Sequence, residues 1–275
     1  MKKSEYQQSG LIRPLIRWAG SKRKLIPILR MHLPAEFERY VEPFAGSACL
    51  FFELSPKPAL IGDINEELIN AYIQVKNRRL LMIDLLTNMP DTSEENYYRQ
   101  RSVNPLSLNK LERAARFIFL NRLCFNGLYR TNMKGEFNVP YGGGRSGDLP
   151  TPSEITNASK VFRSAKFIAG SFEKVLSEVK TGDFVYLDPP YSIANRRVFN
   201  NYSHDVFGME NLRVLRSELE RLDKIGVQFL LSYGLSKEGI ELAKGFKTKH
   251  ALVQRQISGF ATHRRKAREM LVTNY

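Results

Sequence analysis

The sequence has little of several features that mark particular protein classes. It contains two cysteines in 275 residues, Cys49 and Cys124, and both lie in apolar stretches. Such thiols are typical of a reducing compartment, so a disulfide scaffold, a secreted protein and a four-ligand zinc site are disfavoured. No stretch approaches the ~18 apolar residues that a membrane-spanning helix needs. The N-terminal segment has lysines but no apolar run behind them, which disfavours a secretory signal. The four histidines, at 32, 204, 250 and 263, are scattered and predict no metal site.

Acidic residues are also in deficit. The chain has 28 Asp and Glu against 42 Lys and Arg, which gives a net charge of +14. The apolar fraction of 43% and the charged fraction of 25% are those of a globular protein. At this length we expect one large domain, or one domain with an insertion. The positive surplus favours a polyanionic partner, because each neutralised phosphate releases counterions. A basic, solvated surface is the alternative at this point.

The spacing of apolar residues predicts an α/β domain that is interrupted by helices. A helix is predicted at 22–33, and short strands at 39–43 and 58–63 are each followed by a helix, as in the first half of a doubly wound sheet. Consecutive helices then fill 71–125, the clearest at 110–123, and a hairpin follows at 125–141. Alternation of strands and helices resumes at 165 and ends with two strands around a basic turn. The predicted boundaries are therefore 1–70, 71–148 and 149–275.

The sharpest local signal is Asp188-Pro189-Pro190-Tyr191, directly after the apolar strand DFVYL. Ligands of open α/β sheets bind beyond the carboxyl ends of the strands. The two prolines remove backbone donors, so the carbonyl groups around them act as acceptors. Asp188 adds a carboxylate and Tyr191 a flat ring, a combination that suits a planar amino group such as N6 of adenine. The alternative is a proline-rich turn that merely closes a strand.

A second signal is EPFAGS, which ends a strand and opens a helix. Gly46 lets the backbone approach a ligand closely, as in other nucleotide-binding turns. The full GxGxxG and GxxxxGK[ST] patterns are absent, which disfavours a dinucleotide or ATP. Asp63 ends the next strand, where an acid accepts hydrogen bonds from ribose hydroxyls. The alternative for Asp63 is an ordinary N-cap of the next helix.

Trp18 is the only tryptophan and lies in the polar, turn-like segment RWAGSK. A single tryptophan is more often a core residue than a ligand platform. Here Arg17, Gly20 and Lys22 surround it just before a helix, and Lys22 is available to hold a carboxylate.

Together with FNGLYRTNMKGEFNVPYG at 125–142, these blocks resemble the Dam-type (class α, D12) DNA adenine-N6 methyltransferases in both order and spacing. The resemblance runs from about residue 10 to the C-terminus. It implies a Rossmann-like S-adenosylmethionine (SAM)-dependent methyltransferase sheet, formed by 1–70 and 149–275. The insertion at 71–148 would then be a helical target-recognition domain with a β-hairpin.

The resemblance also implies roles for individual residues. Lys22 would lie near the methionine carboxylate of SAM, Asp63 at its ribose, Phe172 beside its adenine, and Tyr191 would stack on the target base. The implied cofactor-binding set is Trp18, Lys22, Phe44, Ala45, Gly46, Ser47, Asp63, Phe172 and Asp188. The implied catalytic set is Asp188, Pro189, Pro190 and Tyr191. The product would be S-adenosylhomocysteine, and no metal is implied.

For DNA, the resemblance points to the hairpin and to recognition of GATC. Arg130 is the candidate for a bidentate contact to guanine, which discriminates by ~1–3 kcal/mol; the alternative is one more phosphate contact. The implied DNA-binding set is Asn126, Leu128, Arg130, Asn132, Pro140, Arg264, Arg265 and Lys266. Gly143, Gly144 and Arg145 stand where the family often has basic or aromatic residues, so the identity of the outer bases of the recognition site is left open. The basic stretch 244–268 is either a phosphate-gripping arm or a solvated loop.

Asp188 and the two cysteines disfavour several rival activities. Cytosine-N4 and protein-glutamine methylases commonly carry Ser or Asn where Asp188 stands, and neither cysteine follows a proline, as cytosine-C5 methylation requires. An RNA adenine methyltransferase and a non-catalytic DNA-binding regulator are the remaining alternatives. The resemblance further implies base flipping, duplex DNA as partner, no membrane, a cytoplasmic location and a monomer, with a restriction endonuclease of the same system as an optional companion.

Overall fold

The computed structural model describes residues 12–191, 207–254 and 266–275. The strands in these ranges are β1 Arg39–Glu42, β2 Ala59–Asp63, β3 Ala165–Ala169, β4 Asp183–Leu187, β5 Gln228–Gly234, β6 Lys247–Gln254 and β7 Lys266–Thr273. They form one sheet in the order β3-β2-β1-β4-β5-β7-β6. Strands β1 to β5 pair in parallel, whereas β7 runs antiparallel to both β5 and β6. The predicted α/β class is confirmed.

The helices in the same ranges are α1 Ile26–Met31, α2 Cys49–Leu54, α3 Glu66–Asn77, α4 Arg79–Thr87, α5 Glu94–Ser102, α6 Lys110–Leu123, α7 Pro152–Phe162, α8 Phe172–Leu176, α9 Met209–Lys224 and α10 Lys237–Ala243. The predicted helix at 22–33 divides into a 3-10 turn, Lys22–Leu25, and α1. Pro27 explains the break, because a proline has no amide proton and fits only the first turn of an α-helix.

Helix α7 was not predicted, although the sequence carries its start signal. Thr151 accepts a hydrogen bond from the Glu154 backbone, and the Glu154 carboxylate accepts one from the Thr151 backbone. This reciprocal capping box satisfies two amide protons that the helix leaves unpaired. The motif TPSE could therefore have revealed the helix.

Helices cover both faces of the sheet, and the strands are apolar on both sides for that reason. Tyr40 and Tyr186 point to the face that packs against α2, α3, α6 and α7. Their neighbours Val41 and Leu187 point to the opposite face, against α8, α9 and α10, as the alternation of a strand requires. Helix α6 shares the first of these cores with the sheet. The division into catalytic and recognition domains stays a prediction.

The predicted hairpin at 125–141 is only loosely paired. Two isolated antiparallel bridges, Cys124 with Tyr141 and Thr131 with Phe137, replace a continuous ladder. A 3-10 turn at Phe125–Gly127, with Asn126 in the left-handed region, takes the backbone out of the extended conformation that a ladder needs.

The order of the strands sets the place of the site. Strand β1 leads outward to β2, whereas β4 on its other side leads to β5, so the chain reverses direction across the sheet between β1 and β4. Ligands bind at such a switch point, outside the carboxyl ends of the strands. Three predicted site residues, Gly46, Asp63 and Asp188, lie at or just beyond the ends of β1, β2 and β4.

Candidate active site

The turn at residues 44–47, after β1, is held at Gly46 from three sides. Its amide donates to Asp63 Oδ2 at 2.9 Å, and its carbonyl accepts from the Tyr72 hydroxyl at 2.5 Å. Gly46 has a φ of +46°, and a Cβ there would lie 2.7 Å from Trp18 Cδ1. The close approach of the indole therefore requires glycine at this position.

Two neighbours complete this turn. The Ala45 amide donates to the carbonyl of Gly62 at 2.9 Å, so the turn is joined to the end of β2. The Ser47 hydroxyl donates to Ser21 Oγ at 3.1 Å, which joins it to the segment that contains Trp18. The two sequence blocks RWAGSK and EPFAGS thus form one continuous surface.

The Asp63 carboxylate joins the Gly46 turn to the residue that precedes α3. Its two carboxylate oxygens accept from the amides of Gly46 and Asn65, each at 2.9 Å. The N-cap of α3 is Asn65, which accepts from the Leu68 amide at 3.0 Å, so the N-cap interpretation of Asp63 is wrong. Burial raises the pKa of the Asp63 carboxyl. A carboxylate has about four lone-pair positions, which leaves acceptor capacity for a hydroxyl.

An aromatic cluster borders the same turn. The rings of Phe44 and Phe172 stack with centroids 5.2 Å apart. Phe207, at 5.8 Å from Phe44 and 6.0 Å from Phe172, completes the cluster. Sequence reasoning placed the first two at the cofactor but missed Phe207, which comes from a segment without a motif.

Lys22 and Asp188 form an ion pair beyond the end of β4. Their Nζ and Oδ1 atoms are 2.5 Å apart, and the side chains are 9% and 20% exposed. Burial lowers the pKa of Lys22, but Asp188, together with Tyr191 and Glu269, raises it by more, so Lys22 carries its charge. Burial also raises the pKa of Asp188, and the Lys22 cation offsets part of that rise. The sequence pointed to both residues but not to their contact.

A serine supports the same carboxylate. The Ser232 hydroxyl donates to Asp188 Oδ1 at 3.3 Å and lies 3.0 Å from the Tyr186 hydroxyl. Within the described ranges, both hydrogen bonds donated to Asp188 thus reach the same oxygen. Of the two prolines that follow, Pro189 is buried and Pro190 is exposed.

Tyr191 is held by residues of strands β5 and β7. Its hydroxyl donates to Glu269 Oε2 at 2.7 Å, and its ring meets that of Tyr233 edge-on at 4.9 Å. The Lys22 ammonium lies 5.0 Å from the ring centroid. Sequence reasoning did not find Glu269, Tyr233 or Ser232, since none lies in a motif.

Glu42 was also missed, although it stands within EPFAGS. It is buried and accepts from the Tyr40 hydroxyl at 2.9 Å. Burial, together with the carboxylates of Asp188 and Asp63, raises its pKa well above the ordinary value.

The hairpin positions the proposed base-reading residues. Arg130 Nε donates to Asn138 Oδ1 at 2.7 Å, so the guanidinium is held across the hairpin. The Asn132 side chain is engaged in the turn, where it accepts from the Lys134 and Glu136 amides. Asn126, Leu128 and Pro140 are exposed. Arg264 and Arg265 lie outside the described residues, and Lys266 opens β7.

The hairpin packs against Trp18, one of the predicted cofactor-binding residues. Tyr129, between Leu128 and Arg130, stacks on Trp18 with centroids 5.7 Å apart and planes 19° from parallel. Trp18 in turn lies against Gly46. Trp18, a member of the predicted cofactor-binding set, therefore contacts both the Gly46 turn and the hairpin that carries the predicted DNA-binding residues.

Comparison with known proteins decides the family. The model of the D12 class N6 adenine-specific DNA methyltransferases matches residues 18–269. The chain is 38% identical to the Type II methyltransferase M1.LlaDCHI of Lactococcus lactis subsp. cremoris, over 96% of each chain. It is 34% identical to the Type II methyltransferase M.MjaIII of Methanocaldococcus jannaschii, over 96% of this chain and 99% of that one. The DNA adenine methylase of Haemophilus influenzae is 30% identical, over 94% of this chain and 92% of its own. The chain belongs to the D12 class of N6 adenine-specific DNA methyltransferases.

The predicted family and enzyme class are confirmed. This methyltransferase acts on adenine in DNA, and the alternatives of an RNA enzyme and a non-catalytic regulator are not supported. Within the three described ranges, no group of three or more His, Cys, Asp and Glu side chains is placed to hold a metal. Nor does this part of the chain contain a helix long and apolar enough to cross a membrane.

Proposed function

We propose that this methyltransferase transfers the methyl group of SAM to N6 of an adenine that is flipped out of duplex DNA, within the sequence GATC. The observation that carries the proposal is the meeting of three elements at the switch point between β1 and β4. These are the Gly46 turn, the aromatic cluster of Phe44, Phe172 and Phe207, and the Asp188 carboxylate.

The residues beside the Gly46 turn fit the proposed cofactor. The rings of Phe44 and Phe172 form an apolar wall for a purine. Asp63 keeps acceptor capacity beyond its two backbone hydrogen bonds, as ribose hydroxyls require. The Lys22 cation suits a carboxylate. When bound, SAM supplies a methyl group made electrophilic by a positively charged sulfur.

Asp188 supplies the group that makes the adenine amine reactive. The N6 lone pair is delocalised into the ring, and hydrogen bonds from the amino group to Asp188 and to the Pro189 carbonyl would localise it on nitrogen. Since Lys22 and Ser232 both donate to Oδ1, the other oxygen, Oδ2, is the acceptor that we assign to the amine. Positioning of this kind accounts for more of the rate than strong base catalysis.

The Asp188 carboxylate is also placed to accept the proton that N6 loses. N6 gains a methyl group and must shed one proton to become neutral again. Burial raises the pKa of Asp188, which makes its carboxylate a better proton acceptor than an exposed aspartate. We assign the first proton acceptance to Asp188 Oδ2.

Flipping the adenine out costs a few kcal/mol, and stacking on Tyr191 offsets part of that cost. The hairpin would read the neighbouring bases, with Arg130 on guanine. Arg130 uses Nε and Nη2 on Asn138, and a guanidinium has five N–H donors, so donors remain for the guanine edge. Its anchored position supports base readout over a mobile phosphate contact.

The wider assignments follow from the same proposal. Residues 1–70 and 149–275 would bind SAM and carry out transfer, while 71–148, with Arg264, Arg265 and Lys266, would hold DNA. We place the enzyme in the cytoplasm on DNA as a monomer, with a restriction endonuclease of the same system as an optional companion. The metal-free mechanism is part of the proposal.

Transfer of a labelled methyl group from SAM to short duplexes tests the activity. We expect label in a GATC duplex and none in a duplex of the same composition without GATC. Asp188→Ala should abolish transfer without loss of folding. Label only in the second duplex would refute the GATC assignment, and label from Asp188→Ala at the wild-type rate would refute the assigned role of this carboxylate.

A second comparison tests base readout. Arg130→Ala should reduce discrimination at the guanine, whereas Arg213→Ala, an exposed arginine on α9, should not. If Arg130→Ala weakens binding to all duplexes equally, Arg130 is a phosphate contact.

A further inference from the structure

Tyr191 is held in place by residues far from it in the sequence. It lies just beyond β4, yet its hydroxyl bonds to Glu269 on β7 and its ring packs edge-on against Tyr233 on β5. A phenol tethered at its hydroxyl and packed on one edge loses rotational freedom. The orientation of the ring is therefore set from outside the Asp188–Tyr191 segment.

The antiparallel course of β7 brings Glu269 to this place. In the pairing of β5 with β7, Glu269 lies opposite Gly234 and Met270 lies opposite Tyr233. Because β7 runs against the parallel strands, its amino-terminal half reaches the edge where β4 and β5 end. A parallel last strand would put the same residues at the opposite edge.

Glu269 is a charged residue in a buried position, where a carboxylate is energetically unfavourable. It is 2% exposed and is followed by three buried apolar residues, Met270, Leu271 and Val272. Burial of a carboxylate costs free energy unless hydrogen bonds and opposite charge compensate it. The hydrogen bond from the Tyr191 phenol and the field of the Lys22 cation contribute to this compensation, and both come from the candidate active site.

We propose that Glu269 is a positioning residue for methyl transfer, which fixes, through the Tyr191 hydroxyl, the ring on which the target adenine stacks. This rests on the proposed stacking role of Tyr191. Glu269 touches neither the base nor the cofactor in this scheme. It acts by limiting Tyr191 to the orientation that places N6 against Asp188, so its loss lowers the rate of transfer and not the binding of SAM.

Single-turnover methylation at saturating SAM and DNA tests the proposal. Glu269→Leu should lower the rate about tenfold, which is about 1.4 kcal/mol in the barrier, with the dissociation constant of SAM unchanged. Glu269→Gln keeps an acceptor oxygen and should restore most of the rate. In a Tyr191→Phe background, which lacks the hydroxyl, Glu269→Leu should have no further effect, as a double-mutant cycle of one contact requires.

The control is Asp183→Asn, another buried acid, at the opposite end of β4 and bound by Arg39. It should lower the melting temperature and leave the rate unchanged. The proposal fails if Glu269→Leu keeps the wild-type rate, if it still slows the Tyr191→Phe enzyme, or if Glu269→Gln is as slow as Glu269→Leu. The last result would assign the effect to charge instead of the hydrogen bond.

Failure of the underlying stacking role can be recognised separately. Tyr191→Ala should slow transfer at least as much as Glu269→Leu, and 2-aminopurine at the target position should brighten when the wild-type enzyme binds. A wild-type rate for Tyr191→Ala, or no brightening, refutes stacking or flipping itself. A slow Tyr191→Ala with a normal Glu269→Leu refutes only the role of Glu269.

Discussion

Replacement of Gly46 by alanine tests how the turn at residues 44–47 is packed. The left-handed φ of +46° costs a residue with a Cβ about 1–2 kcal/mol. The added Cβ would also lie 2.7 Å from Trp18 Cδ1 and 3.0 Å from Trp18 Nε1, well inside the usual 3.5–4.0 Å contact between carbon atoms. Overpacking of this kind adds about 1–3 kcal/mol. We therefore expect Gly46→Ala to lower the free energy of unfolding by about 2–5 kcal/mol.

Gly226→Ala separates the two contributions. Gly226 has a φ of +71°, and a Cβ there would meet nothing within 4 Å, so only the conformational cost applies. In calorimetry, Gly46→Ala should lower the melting temperature more than Gly226→Ala does. For a domain of this size, each kcal/mol of lost stability lowers the melting temperature by about 2–4 °C. Isothermal titration should show weaker SAM binding for Gly46→Ala alone. Equal melting temperatures for the two variants would refute the close contact between Gly46 and Trp18.

Three further predictions concern the same site. Tyr72→Phe removes the buried hydroxyl that donates to the Gly46 carbonyl and should destabilise the protein by about 1–3 kcal/mol and weaken SAM binding; calorimetry that shows no loss would contradict this. Burial raises the pKa of Asp188, and its carboxylate must be ionised to accept from N6, so the transfer rate should begin to fall on acidification at a pH above the ordinary aspartate pKa of 3.8. A pH–rate profile whose acid limb lies at or below that value would contradict the assignment. Tyr129→Leu removes the ring stacked on Trp18, a contact worth about 0.5–1.5 kcal/mol, and should weaken the coupling between SAM binding and DNA binding. Unchanged affinities when each ligand is titrated with and without the other, four titrations in all, would exclude a coupling through this ring pair.

The predictability of the site differs from residue to residue. Gly46 and Asp188 were found because a ligand site of an α/β sheet lies at strand ends, and strand ends are visible as the close of an apolar run. The start of α7 was visible in TPSE but was missed. Asp63 was found as a strand-end acid, but the sequence left open whether it caps α3. In the structure, Asn65 caps that helix, and the Asn65 amide donates to Asp63.

Other features depend on how distant parts of the chain meet. Lys22 and Asp188 are 166 positions apart, and Tyr191 and Glu269 are 78 apart. No local pattern reports such pairs, since periodicity records only whether a side chain faces the core. Phe207 likewise meets Phe44 and Phe172 only in the folded chain, and no local pattern predicts the contact.

The sequence by itself determined the alternation of strands and helices, the excess of positive charge and the motifs that identify a D12 adenine methyltransferase. These features are local, because they depend on the order of residues within single strands, turns and helices. Only the tertiary structure decided that Lys22 holds Asp188 and that Glu269 holds Tyr191. Both contacts join residues that are distant in the sequence, and the second also depends on the reversed direction of β7. The long-range packing of the whole chain selects these arrangements.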